Sequence, residues 1–293
     1  MYTTLISATE LQALLASGQP CRVFDCSFDL MQPAAGPAMY AQAHIPGAVY
    51  AHLDQHLSAP KDPATGKPAP GSAASGGRHP LPTREAFAAW LGSVGLDHTM
   101  QAVVYDRQGA NYCGRLWWML KWAGHANVAV LDGGLQAWQA AGGAVASGPQ
   151  DVFSARNYTL APALLALVAT QTVANQLGRG GQTVLDARGA PRFRGEVEPL
   201  DPIAGHIPGA LNRPFTDNLG ADGTFKPAAQ LKAEFLALLG GRDPATVVHH
   251  CGSGVSAVPN IIAMEVAGLG PTALYAGSWS EWSNTPDLPV AQG

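Results

Sequence analysis

Short apolar runs alternate along this chain with stretches whose apolar residues recur at helical spacing. Arg22-Val23-Phe24-Asp25, Ala102-Val103-Val104-Tyr105, Thr183-Val184-Leu185-Asp186 and Thr246-Val247-Val248-His249-His250 read as β-strands. Glu85 to Leu91, carrying Phe87 and Trp90, and Leu231 to Leu239 predict helices, each ahead of a strand. Val258 to Gly268 predicts a helix directly after one, with Ile261, Ile262 and Val266 on its apolar face. Pro259 fits there because the first helical turn has no use for its missing N–H. The alternation predicts an α/β protein whose mostly parallel sheets are covered by helices on both faces.

The pattern is written twice. Ala43-His44-Ile45-Pro46-Gly47-Ala48 returns as Gly205-His206-Ile207-Pro208-Gly209-Ala210, and Arg22 to Asp25 returns as Thr183 to Asp186. From Val103 to Trp138 the second copy follows without a gap, 144 positions later, so that Asp132-Gly133-Gly134-Leu135 and Trp138 match Ala276-Gly277-Ser278-Trp279 and Trp282. Two tandem copies of one domain are expected: residues 1–141, a linker at 142–157 with Gly-Gly and Gly-Pro steps, and residues 158–293. Ser58 to Pro82, rich in Pro, Gly, Ala and Ser, predicts a long loop in the first copy. His44 and His206 recur in both copies, which favours a structural turn role for each.

Composition narrows the class. A chain of 293 residues with 47% hydrophobic and 13% charged residues can bury two domain cores. Its net charge of −4 gives nucleic-acid binding no electrostatic support, and no apolar run is long enough to span a bilayer. The opening Met1-Tyr2-Thr3-Thr4-Leu5-Ile6 lacks the charged and apolar regions of a secretory signal. Cys21, Cys26, Cys113 and Cys251 form no C-x-x-C pair, a spacing that suits a reducing cytoplasm and predicts neither disulfides nor a metal site. No cofactor is expected.

The chemistry concentrates at Cys251, where a β-strand ends and a glycine-bearing loop leads into a helix. Open α/β sheets place ligands at such carboxyl ends. Gly252 and Gly254 remove side chains, so the loop through Val255 and Ser256 can aim several backbone N–H groups at one point. Those amides favour a thiolate, the form that attacks, and would also stabilise a persulfide anion on the same sulfur. In the same register the first copy has Arg107 opposite Cys251, and Cys113 opposite Ala257. Only the second copy can carry the nucleophile. His249 and His250 lie on the strand before it and lack metal-ligand spacing.

The duplicated His-Ile-Pro-Gly-Ala, the Gly277-Ser278-Trp279-Ser280-Glu281-Trp282 segment and Cys251-Gly252-Ser253-Gly254-Val255-Ser256-Ala257 together resemble the tandem-domain rhodanese sulfurtransferases. The resemblance covers nearly the whole chain. It implies five-stranded parallel sheets and a double displacement, in which Cys251 takes a sulfane sulfur from a small-molecule donor and hands it to a thiol or cyanide. A small thiol or a thioredoxin-like protein would be the acceptor. Thiosulfate-using members carry basic residues after the cysteine, whereas Cys-Gly-Ser-Gly-Val is similar to the 3-mercaptopyruvate sulfurtransferases. In those enzymes a serine and a first-lobe aspartate move the donor's proton; Ser253 and Asp54 match them, and His79 matches a histidine of the following loop. Arg192 matches one of two arginines that hold the donor carboxylate. The second is replaced by Leu200, and Arg213 is expected to supply the missing charge. Arg194 reads instead as a surface ion-pair partner.

Three other readings compete. A thiosulfate:cyanide sulfurtransferase would use the same nucleophile. A cysteine phosphatase needs an arginine six residues after its cysteine, where this chain has Ala257. A redox-sensing module would oxidise Cys251 without accumulating a persulfide.

Overall fold

Parallel strands make up both sheets of the protein, as the alternating pattern requires. The computed structural model describes residues 1–293 and divides into two units. Unit one comprises Met1–Lys61, Pro82–Leu164 and Ala221–Thr224; unit two comprises Asp62–Leu81, Leu165–Gly220 and Phe225–Gly293.

In unit one the order is β1 (Leu5–Ile6), α1 (Ala8–Ala16), β2 (Cys21–Asp25), α2 (Ala35–Gln42), β3 (Val49–Tyr50), α3 (Arg84–Ser93), β4 (Gln101–Tyr105), α4 (Cys113–Trp122), β5 (Val128–Leu131) and α5 (Gly134–Ala140). The five strands pair in the order β1-β5-β4-β2-β3. Val103, Tyr105, Ala129 and Leu131 pack with Leu11 and Leu14 of α1 and Leu135 and Trp138 of α5. The alternate residues Phe24, Val104 and Val130 are buried as well, so both sheet faces are covered. Local chemistry sets the helix starts. Ser7 and Glu10 form a reciprocal capping box at α1, and the Thr83 hydroxyl accepts from the Ala86 amide at α3.

Unit two runs through α6 (Thr170–Asn175), β6 (Thr183–Asp186), α7 (Ala190–Phe193), β7 (Leu211–Asn212), α8 (Ala228–Leu239), β8 (Val247–His250), α9 (Val258–Val266), β9 (Ala273–Leu274) and α10 (Ser278–Trp282). Its strands pair in the order β7-β6-β8-β9. Leu167 bridges Leu274 in parallel at the outer side of β9, the place β1 holds beside β5. Val184 and Val248 pack with Val173, Tyr275, Trp279 and Trp282. From β6 the chain goes to β7 on one side, then crosses to β8 on the other. The carboxyl ends of β6 and β8 therefore flank a topological switch point.

The repeated motif does the same job in each unit. His44 Nδ1 lies 2.8 Å from the Tyr40 carbonyl with its ring stacked on Tyr40, and the segment bridges Ala146. His206 Nδ1 lies 2.8 Å from the Phe193 carbonyl, stacks on Phe193 and bridges Ala291. These are turn-holding histidines.

Two stretches fall differently from the expected domain limits. Residues 142–164 belong to unit one, tied there by the Ala146–His44 backbone pair and by the Arg156 amide donating to the Gly92 carbonyl. The segment Ser58–Pro82 has no helix or strand, but its Asp62–Leu81 portion belongs to unit two. No helix is long and apolar enough to cross a membrane.

Candidate active site

Cys251 stands at the carboxyl end of β8, at the switch point, and is only 2% exposed. Its backbone is pinned by the start of α10. The Cys251 amide donates to Ser278 Oγ at 3.1 Å, the Trp279 amide to the Cys251 carbonyl at 2.9 Å, and the Ser280 amide to the Gly252 carbonyl at 2.8 Å. Ser278 holds a left-handed φ of 55°, the conformation glycine takes at the equivalent Gly134 with φ 59°. That strain is tolerated where the hydroxyl both anchors the cysteine and donates to the Tyr275 carbonyl at 3.0 Å.

The loop then curls toward α9. Gly254 has φ +72°, and a Cβ there would lie 2.4 Å from the Ala276 carbonyl oxygen. Glycine is required on both counts. Gly252 lies outside the left-handed region, but its open side faces two guanidinium groups: an added Cβ would lie 3.2 Å from Arg78 Nη2 and 3.5 Å from Arg192 Nη1. Ser253 Oγ is 2.7 Å from His79 Nδ1, both residues being buried. Val255 and Ala257 are buried beneath the turn, and Ser256 is partly exposed.

Unit one offers an internal comparison. At its equivalent loop the Asp106 carboxyl group accepts from the amides of Gln108, Ala110, Tyr112 and Cys113 at 2.8–3.1 Å. The turn's amides thus already have an acidic occupant. Arg107 folds back to Asp25 at 3.2 Å and to Ser27, neutralising a buried aspartate at the end of β2. In unit two the position of Asp106 is His250, whose ring turns to Asp186 with Nε2 3.6 Å from Oδ2. The neutralising guanidinium now comes from Arg188, 2.7 Å from Asp186 and stacked over Trp279. Burial alone would raise the Asp186 carboxyl, but His250 and Arg188 hold it below its ordinary range. Because Arg188 takes over the work of Arg107, the loop position is released for a cysteine.

The remaining thiols are placed against reactivity. Burial pushes Cys26 and Cys113 well above the ordinary thiol range, with Asp25 and Asp106 adding to it, and raises Cys21 to about 12. All four cysteines are free. No group of three or more His, Cys, Asp or Glu side chains is placed to hold a metal ion.

Comparison with known proteins agrees with this arrangement. The rhodanese-like domain matches residues 7–141 and again residues 169–285. The chain belongs to the rhodanese family. A Pseudomonas aeruginosa protein named a probable 3-mercaptopyruvate sulfurtransferase is 45% identical over 99% of this chain and 98% of its own length. A Mycobacterium tuberculosis protein provisionally named a thiosulfate sulfurtransferase is 41% identical over 99% of this chain and 97% of its own. The solved structure of 3-mercaptopyruvate sulfurtransferase from Leishmania major superposes with a TM-score of 0.79 at 31% identity, covering 98% of this chain and 76% of that one.

Among the rhodanese residues expected from sequence, the structure brings Cys251, Gly252, Ser253, Gly254, His79 and Arg192 into one neighbourhood of unit two. Asp54 lies in unit one after β3, where its amide donates to His52 Nδ1 at 3.1 Å. Arg213 requires a correction. Instead of supplying a second charge at the loop, it is buried and committed to Asn218 at 2.8 Å and Glu234 at 2.7 Å, with its guanidinium 4.4 Å above the Phe235 ring. Arg194 pairs with Glu196 at the surface at 2.7 Å.

The arginine that does face the loop beside Arg192 is Arg78, which sequence reasoning missed. Its segment packs on α10: the Arg78 amide donates to Ser280 Oγ at 2.8 Å, and a Cβ at Gly77 would strike the Gly277 carbonyl at 2.5 Å. Leu200 leaves the charge to Arg78 and offers its carbonyl to Arg78 Nη1 at 3.4 Å. One signal was available, since Gly76-Gly77-Arg78-His79 places a cation directly before the histidine already singled out. Arg188 could also have been noticed, because the register sets Arg188 and Cys251 against Ser27 and Arg107.

Proposed function

We propose that this protein transfers the sulfane sulfur of 3-mercaptopyruvate through a persulfide on Cys251 to a thiol or to cyanide. The observation that carries the reading is a cysteine at the carboxyl end of β8 in a glycine-bearing turn, with a serine–histidine pair beside it and two guanidinium groups over the adjacent glycine. In this reading Arg78 and Arg192 hold the donor's carboxylate by charge-assisted hydrogen bonds and aim its sulfur at Cys251. The Cys251 thiolate attacks that sulfur. The donor's carbon–sulfur bond breaks with its electron pair left on carbon, and the resulting enolate takes up a proton to become pyruvate. Ser253 and His79 move the proton released by the donor thiol. The loop amides of Gly252 to Ser256 stabilise the persulfide anion, whose outer sulfur is then attacked by the acceptor thiolate. A small thiol or a thioredoxin-like protein in the cytoplasm is the acceptor class.

Parallel turnover with mercaptopyruvate and thiosulfate tests the reading. Mercaptopyruvate should be the better donor, and mass spectrometry after donor treatment should find one added sulfur on Cys251 and none in Cys251→Ser. An added sulfur on Cys21, Cys26 or Cys113, or a clear preference for thiosulfate, would overturn it.

A further inference from the structure

The two guanidinium groups facing Gly252 are not held alone. Asp186 pairs with Arg188 at 2.7 Å, Arg188 with Glu198 at 3.3 Å, Glu198 with Arg192 at 2.6 Å, Arg192 with Asp201 at 3.3 Å, and Asp201 with Arg78 at 2.8 Å. The chain of pairs runs from the end of β6 to the rim of the cysteine loop. It alternates three arginines with three carboxylates and has no net charge. Asp201 joins the two arginines: Arg78 donates to Oδ1 at 2.8 Å and to Oδ2 at 3.5 Å, Arg192 donates to Oδ2 at 3.3 Å, and the Asp201 side chain is only 3% exposed. The two arginine side chains remain 22% and 21% exposed, so they are the part of the assembly open to an incoming anion.

We infer that Asp201 sets the charge of the sulfur donor this site accepts. The inference rests on the reading of Arg78 and Arg192 as the donor clamp. With Glu198 also paired to Arg192, the six groups carry no net charge, so the clamp holds the one carboxylate of a 2-oxo acid by directed hydrogen bonds rather than by excess charge. A dianion such as thiosulfate would bring twice the uncompensated charge of a monoanion close to the Asp201 carboxylate. Removing the Asp201 charge leaves the assembly with one net positive charge without changing its shape. That extra charge attracts a dianion about twice as strongly as a monoanion, because the Coulomb energy scales with ligand charge. Asp201 is thus a positioning residue with an electrostatic consequence.

The test is Asp201→Asn beside Asp201→Glu, with both donors assayed at low and high salt. In Asp201→Asn the kcat/KM for thiosulfate should rise in absolute terms, and its ratio to the mercaptopyruvate value should rise about tenfold. Added salt should shrink that shift. Asp201→Glu should keep the wild-type ratio. A readout independent of turnover uses protection of Cys251 from iodoacetamide, where sulfate should gain over formate in Asp201→Asn alone. An unchanged ratio in Asp201→Asn, or an equal loss with both donors, would overturn the inference. So would the same shift in Asp201→Glu. Failure of the wild-type protein to use mercaptopyruvate would instead count against the proposed function, while the sulfate and formate arms would still decide the role of Asp201.

Discussion

Arg78 and Arg213 are one charge each, yet the structure assigns them opposite consequences on truncation. Arg78→Ala removes a guanidinium whose Nη2 would lie 3.2 Å from a Cβ placed on Gly252, while Asp201 keeps Arg192 as a partner at 3.3 Å. The loss should fall on donor binding. A charge-assisted contact is worth about 1.5–3 kcal/mol, so KM for mercaptopyruvate should rise roughly tenfold to a hundredfold. Arg213→Ala removes a buried side chain that bonds Asn218 at 2.8 Å and Glu234 at 2.7 Å and covers Phe235. The Asn218 side-chain oxygen would be left without its donor in a fully buried site, which costs about 1–3 kcal/mol, and the lost cation–ring contact adds about 1 kcal/mol. Glu234 retains Lys226 at 3.1 Å and Gln230 at 2.9 Å, which limits the total to about 2–4 kcal/mol. Thermal denaturation should therefore show a Tm lower by roughly 5–15 °C, with KM near the wild-type value. Steady-state kinetics and melting curves on the two variants and on Arg192→Ala decide the matter. A raised KM in Arg213→Ala with unchanged Tm, or an unchanged KM in Arg78→Ala, would refute the reasoning.

Three further outcomes are expected. Gly254→Ala combines a left-handed backbone with a Cβ 2.4 Å from the Ala276 carbonyl, so it should lower stability by about 3 kcal/mol or more and abolish persulfide formation, checked by urea unfolding and mass spectrometry. Ser253→Ala leaves both guanidinium groups in place and removes the hydroxyl that meets His79, so kcat should fall while KM stays within a few-fold. Burial, with His98 and His250 adding to it, lowers His125 to about 4 and His249 to about 3, so both are neutral in the folded protein where the unfolded chain is protonated. Their stabilisation is complete above the unfolded value near 6.5 and is lost as pH falls toward 4; denaturant midpoints at pH 7.5, 6 and 5 should decline, and a flat profile would count against it.

Much of this protein was legible in its sequence because the relevant signals are local. Strand and helix periodicity needs only neighbours along the chain, and β2, β4, β6 and β8 fall where the apolar runs lie. A duplication survives as register, so Arg107 opposite Cys251 identifies the unit without a nucleophile from sequence alone. Glycine at 254 also speaks locally, through a backbone angle other residues rarely adopt. Tertiary structure alone decided which distant groups surround the cysteine. A loop's composition says that it is a loop and nothing of where it docks, so the membership of Asp62–Leu81 in unit two was invisible. The same holds for the arginines. A long side chain takes its partner from packing rather than from spacing, and Arg213 was drawn into a buried pair with Glu234 while Arg78 reached the loop. The charge expected at Arg213 for the donor is instead committed to Glu234 and Asn218, because a cation drawn into the interior lowers its energy by pairing there. In the fold that pairing produced the chain of arginines and carboxylates ending at Asp201.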